Sequence, residues 1–236
     1  MRTKTILEGR QSWRRLLFLH WPVPPAAVRA AVPASVPLDL RDGTAWVSVV
    51  AFDIEAARPP VAPAWLGLDF LETNARTYVR MPGGEPAVWF FSLEAASRLA
   101  VAAARLAYGL PYFHARMARS REDGAEVYRT ARRGPEAPGL EVRYRVGAPL
   151  GTAAPESLEE FLIERYALHA VRGGGRIVTV RVRHAPYPLR AVAVESVSED
   201  LLEAAGVPRP GGLRPGSQPL AYYSDGVDVE VFRVLG

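Results

Sequence analysis

The sequence contains no cysteine, and of its 29 basic residues only Lys4 is a lysine. Without cysteine the chain has no disulfide, no thiolate nucleophile and no Cys-ligated zinc or iron–sulfur site. Histidine is scarce as well. His20, His114, His169 and His184 show no short metal-ligand spacing, so no metal is expected. No apolar run approaches the ~20 residues of a membrane helix. The most apolar stretch, LAVAAARLAYGL, is interrupted by Arg105, and the apolar part of MRTKTILEGRQSWRRLLFLHWP is too short for a signal peptide. A cytoplasmic protein without membrane contact is the expectation.

Motifs for common cofactors and nucleophiles are missing too. There is no G-x-S-x-G elbow for a catalytic serine. The glycine-rich Arg172-Gly173-Gly174-Gly175-Arg176 precedes a strand pattern rather than a helix, so it reads as a turn and not as a phosphate cradle. No cofactor is expected. The arginines are distributed along the chain and nearly balanced by 25 acids, leaving a formal net charge of +4. Nucleic-acid binders concentrate positive charge on one face or in a run, so this dispersal disfavours nucleic acid as a partner. Arginine in place of lysine, with abundant alanine, glycine and proline, reads more simply as the base composition of a GC-rich genome.

What is present is a long series of alternating segments. No repeat, low-complexity tract or long linker divides residues 1–236, and a single domain is expected. VPPAAVRAAVP has an early proline and apolar residues at helical spacing, a short helix. VPLDLRDGTAWVSVVAFDI reads as two strands around the turn pair Asp42-Gly43, and EAARPPVAPAWLGL as a proline-rich loop of the kind that covers a site. FLETNARTYVR and EPAVWFFSL form a hairpin about a turn at Met81–Gly84. Ser92 is then the expected cap of a helix over about 93–108, with Glu94 in its first turn and Leu99, Ala102, Ala103 and Leu106 facing the core.

Asp123-Gly124 marks another hairpin, and LEVRYRVG a third strand. Ser157 and Glu160 have capping-box spacing for a helix that enters FLIERYALHA. RIVTVRVRH and LRAVAVESV are strands, Ser198 opens a short helix, and PLAYYSDGVDVEVFRVL is a final hairpin or strand pair. About ten strands and three or four short helices make a β-dominated α+β domain, a curved or closed barrel that removes strand edges.

One strand poses a question. In LETNARTYVR, Glu72, Asn74, Arg76, Tyr78 and Arg80 share one parity, and Leu71, Thr73, Ala75, Thr77 and Val79 the other. Same-face residues two apart lie about 6.6 Å from each other, so Glu72, Asn74 and Arg76 could touch one small ligand. Arginine offers a planar fork for a carboxylate, asparagine a donor and an acceptor, and glutamate a proton-transfer group. The same alternation also describes a solvated sheet face with paired charges. A second polar parity, Tyr112, His114 and Arg116, has the same two readings.

The order HWPVPPAAVRAAVP, LDLRDGTAWVSVVAF, FLETNARTYVR, VWFFSLEAASRLAVAAARLAYGLPYFHARM resembles the uncharacterised YqjF-like family, domain of unknown function 2071, over essentially the whole chain. That family is similar in turn to acetoacetate decarboxylase, a β-barrel with a cone-like cavity. The resemblance implies an acetoacetate-decarboxylase-like barrel in which the strand of Glu72 carries a cavity glutamate. The polar parity would face the cavity, and the other would pack outward against helices.

The resemblance also carries a negative implication. The decarboxylase forms a Schiff base through a lysine in a Gly-x-Pro-Lys-Lys segment. Here the matching stretch is Gly109-Leu110-Pro111-Tyr112-Phe113, and Lys4 lies far off at the start of the chain. Lysine-imine decarboxylation is not expected.

The resemblance therefore implies a site with Glu72 and Tyr112 as candidate catalytic residues. Asn74, Arg76, Tyr78, His114 and Arg116 are candidates for binding a small organic acid or carbonyl compound. Arg76 would hold the carboxylate, Glu72 would move a proton, and Tyr112 would donate to a developing oxyanion. The competing readings are a lysine-independent enzyme, a non-catalytic binder or sensor, and a nucleic-acid-associated protein using its arginines. Proteins of this fold often assemble, so a homo-oligomer is an expectation.

Overall fold

The computed structural model describes residues 5–80, 84–134, 137–172, 176–208 and 218–234. Its strands are β1 (Thr5–Val23), β2 (Ala45–Arg58), β3 (Leu68–Arg80), β4 (Pro86–Ala95), β5 (Tyr112–Glu122), β6 (Ala125–Arg132), β7 (Gly139–Gly151), β8 (Ala167–Arg172), β9 (Arg176–Arg183), β10 (Leu189–Glu199) and β11 (Leu220–Val234). Four short α-helices join them: α1 (Pro25–Arg29), α2 (Arg98–Tyr108), α3 (Leu158–Ile163) and α4 (Leu201–Ala204). The turn residues 81–83 and 173–175, and Lys4, lie outside the described residues. Among the described residues no helix is long and apolar enough to cross a membrane.

The sheet runs β1-β2-β3-β4-β5-β6-β7-β10-β11 and closes through β11 onto β1. A second closure runs from β4 through β8 and β9 to β11. The strands therefore enclose two rings that share the wall β11-β1-β2-β3-β4. The larger ring is completed by β5, β6, β7 and β10, and the smaller by β8 and β9. β4 and β11 make this possible by dividing one edge between two partners. β4 pairs with β8 at Val88 and Trp89 and with β5 from Leu93 to Ala95. β11 pairs with β10 in its first part and with β9 in its last.

A strand in the shared wall has no solvent face, which accounts for its sequence. Strands covered on both sides read as continuous apolar runs rather than alternations. In β1 every residue from Leu16 to Trp21 is buried. Leu17, Leu19 and Trp21 join the core of the larger ring, while Leu16 and Phe18 join that of the smaller. β2 divides likewise, with Val47, Val49 and Ala51 to one side and Val50, Phe52 and Ile54 to the other. Tyr128, Leu140, Val142 and Tyr144 fill the larger ring from the opposite side, with Val28 of α1 and Leu201 and Leu202 of α4 at its margins.

Several expectations change. The basic N-terminal segment becomes β1, the longest of the described strands, bonded on both sides. The tail is one strand rather than a hairpin. Gly226, at φ +137°, passes so close to β1 that a Cβ there would lie 2.2 Å from the Trp13 carbonyl. Around Asp42 and Gly43 the chain makes only the bridge Arg41–Thr44 before β2 begins. Ser92 and Glu94 lie within β4, and the cap of α2 is Ser97, whose Oγ accepts from the Ala100 amide at 3.2 Å. Leu99 and Leu106 are 64% and 82% exposed, so the core-facing stripe expected for this helix is absent and Val101 is its buried anchor. The capping residue Ser157 accepts from Glu160 N at 3.1 Å, but α3 ends at Ile163 and Ala167–Arg172 is β8.

Candidate functional site

β3 carries the polar alternation into the shared wall. Glu72, Asn74 and Arg76 are only 3%, 4% and 8% exposed, so the polar face is not a solvated one. Thr73, Ala75, Thr77 and Val79, on the other face, are equally buried. That face meets strands more than helices, for Thr73 Oγ1 lies 2.7 Å from Thr130 Oγ1 and 3.3 Å from the Tyr128 hydroxyl.

The polar face lines a pocket of about 420 Å³ inside the smaller ring. Strand register orders its walls. Arg76 stands beside Ser48, Asn74 beside Val50, Glu72 beside Phe52, and Phe70 beside Ile54. On the far side of β2, His20 pairs with Ser48, Phe18 with Val50, and Trp13 with Ile54. Arg76 is thus at the deep end and Phe70 toward the mouth, where Arg58, Pro59, Leu68 and Ala103 also line the opening. Opposite Ala75 and Arg76, β4 carries one extra residue, Phe91. This bulge switches the parity of β4, so that Phe90 and Leu93 both line the pocket while Ser92 and Glu94 turn away.

Burial sets the chemistry of Glu72. Removal from water pushes its carboxyl up to about 8, a shift that its hydrogen bond from Tyr112 opposes and the nearby Glu94 reinforces. Tyr112 Oη donates to Glu72 Oε2 at 2.8 Å. At neutral pH the group is mostly a neutral acid able to donate a proton. Among the described residues Asn74 Oδ1 and Arg76 Nε have no hydrogen-bond partner, and Arg76 Nη2 reaches the Leu162 carbonyl at 3.3 Å. No carboxylate forms an ion pair with Arg76 among the described residues, whereas the neighbouring Arg165 is bound to Asp39 at 2.7 Å. A buried cation without a counter-charge is costly, and an anionic ligand would offset that cost.

The remaining candidates fall elsewhere. Tyr78 lies below the pocket and not on its surface. Its hydroxyl donates to the Leu162 carbonyl at 2.8 Å and sits 2.6 Å from Ser48 Oγ, which is 2.7 Å from His20 Nδ1. A consistent direction of donation runs from His20 Nδ1–H through Ser48 and Tyr78 to that carbonyl. Burial and the Arg76 charge keep His20 well below its ordinary range, so its ring is neutral. His114 and Arg116 do not line the pocket. β5 leaves the wall after Ala95–His114 and continues as the partner of β6 in the larger ring, which places Arg116 on an exposed cleft beside Arg129 and Glu141. Only Tyr112, at the start of β5, stays with Glu72, Asn74 and Arg76. Among the described residues no group of three or more His, Asp or Glu side chains gathers as a metal site.

Sequence reading missed the apolar walls and the His20–Ser48 pair. A signal for the pair exists: His20 and Ser48 are the polar interruptions of LLFLHW and WVSVVAF, both on the pocket-side parity.

The comparisons agree with this architecture. A family model described as an uncharacterised conserved protein, domain of unknown function 2071, matches residues 10–228. The chain belongs to this family. It is 35% identical over 222 residues to the uncharacterised protein YqjF of Bacillus subtilis (strain 168), covering 93% of this chain and 88% of that one. Among solved structures, an acetoacetate decarboxylase is similar with a TM-score of 0.67 at 10% identity, over 97% of this chain and 88% of that one. An acetoacetate decarboxylase-like enzyme from Sphingomonas wittichii RW1 gives 0.60 at 13%, over 98% and 95%. The enduracididine biosynthesis enzyme MppR, complexed with pyruvate, gives 0.62 at 13%, over 96% and 88%. At such identities these likenesses establish the acetoacetate-decarboxylase-like fold alone.

Proposed function

We propose that the pocket of the smaller ring binds a small organic acid or carbonyl compound, with Arg76 and Asn74 holding its oxygens and the Glu72–Tyr112 pair facing its reactive carbon. The observation that carries this reading is Arg76, a buried guanidinium with a free Nε and no acidic partner among the described residues, next to an unsatisfied Asn74 oxygen. Bidentate recognition of a carboxylate is what an arginine fork does best. The pyruvate named in the MppR complex is a ligand of this chemical kind in a similar fold.

The lining also limits the reaction. It includes no serine, threonine, histidine, cysteine or lysine among the described residues, so hydroxyl-, thiol- or amine-based covalent catalysis of the usual kinds has no residue there. Tyr112 occupies the place that the family resemblance gives to a Schiff-base lysine. What remains is acid–base work: a protonated Glu72, held by Tyr112, delivering a proton to a carbonyl oxygen or an adjacent carbon. The absence of a lysine in the lining among the described residues equally favours a second reading, a binder or sensor that performs no chemistry.

Thermal shift separates these ideas. Organic acids should raise the melting temperature of the wild type, and Arg76→Ala should remove that rise. Turnover of a stabilising acid that is lost in Glu72→Gln would make the protein an enzyme, and stabilisation without turnover a binder. A rise unchanged in Arg76→Ala sinks the proposal.

A further inference from the structure

We propose that the ligand is a monocarboxylate with an extended apolar body, inserted carboxylate-first so that its tail points toward the mouth lined by Ala103 of α2 and Leu68 of β3. This rests on the binding role given to Arg76 above, and adds the ligand's length, polarity and direction.

Three observations carry it. The first is where the polar groups lie. Glu72, Asn74 and Arg76 of β3, with Tyr112 of β5 and Arg165, make the inner part polar, and Arg10, Gln11 and Arg58 make the opening polar, while the layers between are closed by Phe18 and Val50, by Leu16 and Phe52, and by Trp13 and Ile54. A ligand there meets a polar edge on one side and hydrocarbon on the others. An α- or β-oxygen near the acid end would find Asn74 or Glu72, and beyond them the lining is apolar until Gln11 and Arg58 at the opening.

The second is length. From Arg76 to Phe70 is three same-face steps of a strand, about 20 Å between Cα atoms. The pocket's 420 Å³ is several times what an acetate- or pyruvate-sized molecule occupies, given roughly 30 Å³ for a water in the liquid. A short acid on Arg76 would leave most of the apolar length uncovered, whereas a longer chain would bury it.

The third is charge. Arg165 is committed to Asp39, and at the mouth Arg10 pairs with Glu230 at 3.4 Å. Arg58 at the opening is only partly buried and is bonded to the Ala56 carbonyl, which leaves Arg76 as the interior cation without an acidic partner among the described residues, so the interior matches one negative charge. A second carboxylate on a six-carbon tail would end among the apolar layers, short of Arg58, without a counter-ion, which is strongly unfavourable.

The test is calorimetric titration of wild type, Arg76→Gln and Ala103→Trp with propanoate, butanoate, hexanoate, dodecanoate, hexanamide and the dicarboxylate adipate. Ala103 is an exposed helix position, so its substitution should leave folding intact. Affinity should rise about fourfold per methylene from propanoate to hexanoate, the ratio that corresponds to ~0.8 kcal/mol per buried CH₂. Adipate and hexanamide should bind at least tenfold more weakly than hexanoate. Ala103→Trp should weaken dodecanoate, long enough to reach the mouth, while sparing propanoate and butanoate.

A flat series, or preference for propanoate or adipate, overturns the apolar-body inference and leaves acid binding at Arg76 standing. Long-chain affinity unaffected by Ala103→Trp overturns the direction of insertion. If no acid binds, or if Arg76→Gln binds them all as wild type does, the underlying binding reading itself has failed.

Discussion

The Tyr112 hydroxyl donates to Glu72 Oε2 at 2.8 Å from a strand that leaves the wall two residues later. β5 is parallel to β4 for only three residue pairs, and the first of them, Leu93–Tyr112, places the phenol against the buried carboxyl. That bond opposes the upward push of burial on Glu72. Tyr112→Phe should therefore raise the Glu72 pKa above its value of about 8. Carbon-13 NMR titration of a glutamate-labelled sample would detect it, and an unchanged or lowered value would show that the bond is absent in solution.

Glu72 also links stability to pH. Its folded-state pKa of about 8 exceeds the ordinary 4.5, so the folded state holds a proton that the unfolded state has released between those values. Stability should fall as pH rises from about 4.5 to about 8, and the destabilisation is complete above the folded value. Tyr112, Glu94 across the wall and Arg76 on the same face are the ionisable groups around it. Glu72→Gln should melt higher than wild type at pH 9 and nearly equal to it at pH 4, by denaturant titration at both pH values. A variant no more stable at pH 9 would mean that Glu72 ionises without penalty.

Asp39 holds two arginines of unequal burial. Arg165 Nη1 lies 2.7 Å from Asp39 Oδ2, with both side chains 3% exposed, while Arg80 Nε approaches Oδ1 at 2.8 Å from a half-exposed position. Asp39→Ala strands Arg165 in the interior and should cost about 3–5 kcal/mol. Arg80→Ala should cost no more than about 1 kcal/mol. Urea unfolding of both variants gives the comparison, and equal losses would contradict the burial difference.

Gly226 of β11 sits directly against the β1 backbone at Trp13 and Arg14. Its φ of +137° and the Trp13 carbonyl leave no space for a Cβ. Gly226→Ala should destabilise by about 2–4 kcal/mol. Because Trp13 lines the pocket, acid binding should weaken as well, which a combined melting and titration experiment would show. A neutral substitution would mean that the two strands separate easily.

Much of this fold was legible in the chain. The turn pair Asp123-Gly124, the capping Ser157 and the alternation in β9 and β10 are local signals, and they predicted their elements. The polar parity of β3 was legible as a face, but its burial was not, because a period of two says which residues share a side and not what covers it. Tyr112 was placed near Glu72 through the family resemblance rather than through spacing. His114 and Arg116 were misplaced because alternation holds only while a strand stays in one wall, and β5 changes neighbours after His114. β1 was overlooked for the opposite reason. Its inner half lacks alternation since both faces are covered, and an unbroken LLFLHW resembles neither an amphipathic strand nor a helix.

The closure of β1 by β11 has a bearing on how the molecule comes into being. Ser12 and Asp228, bonded at 2.7 Å, are 216 residues apart in the chain. Both rings use this seam, so neither can close until β11 has left the ribosome. Contacts of such separation make folding slow. Until the seam forms, the doubly covered strands of the wall stay open to other chains, and the newborn protein is at greatest risk of aggregation in the interval before its last strand arrives.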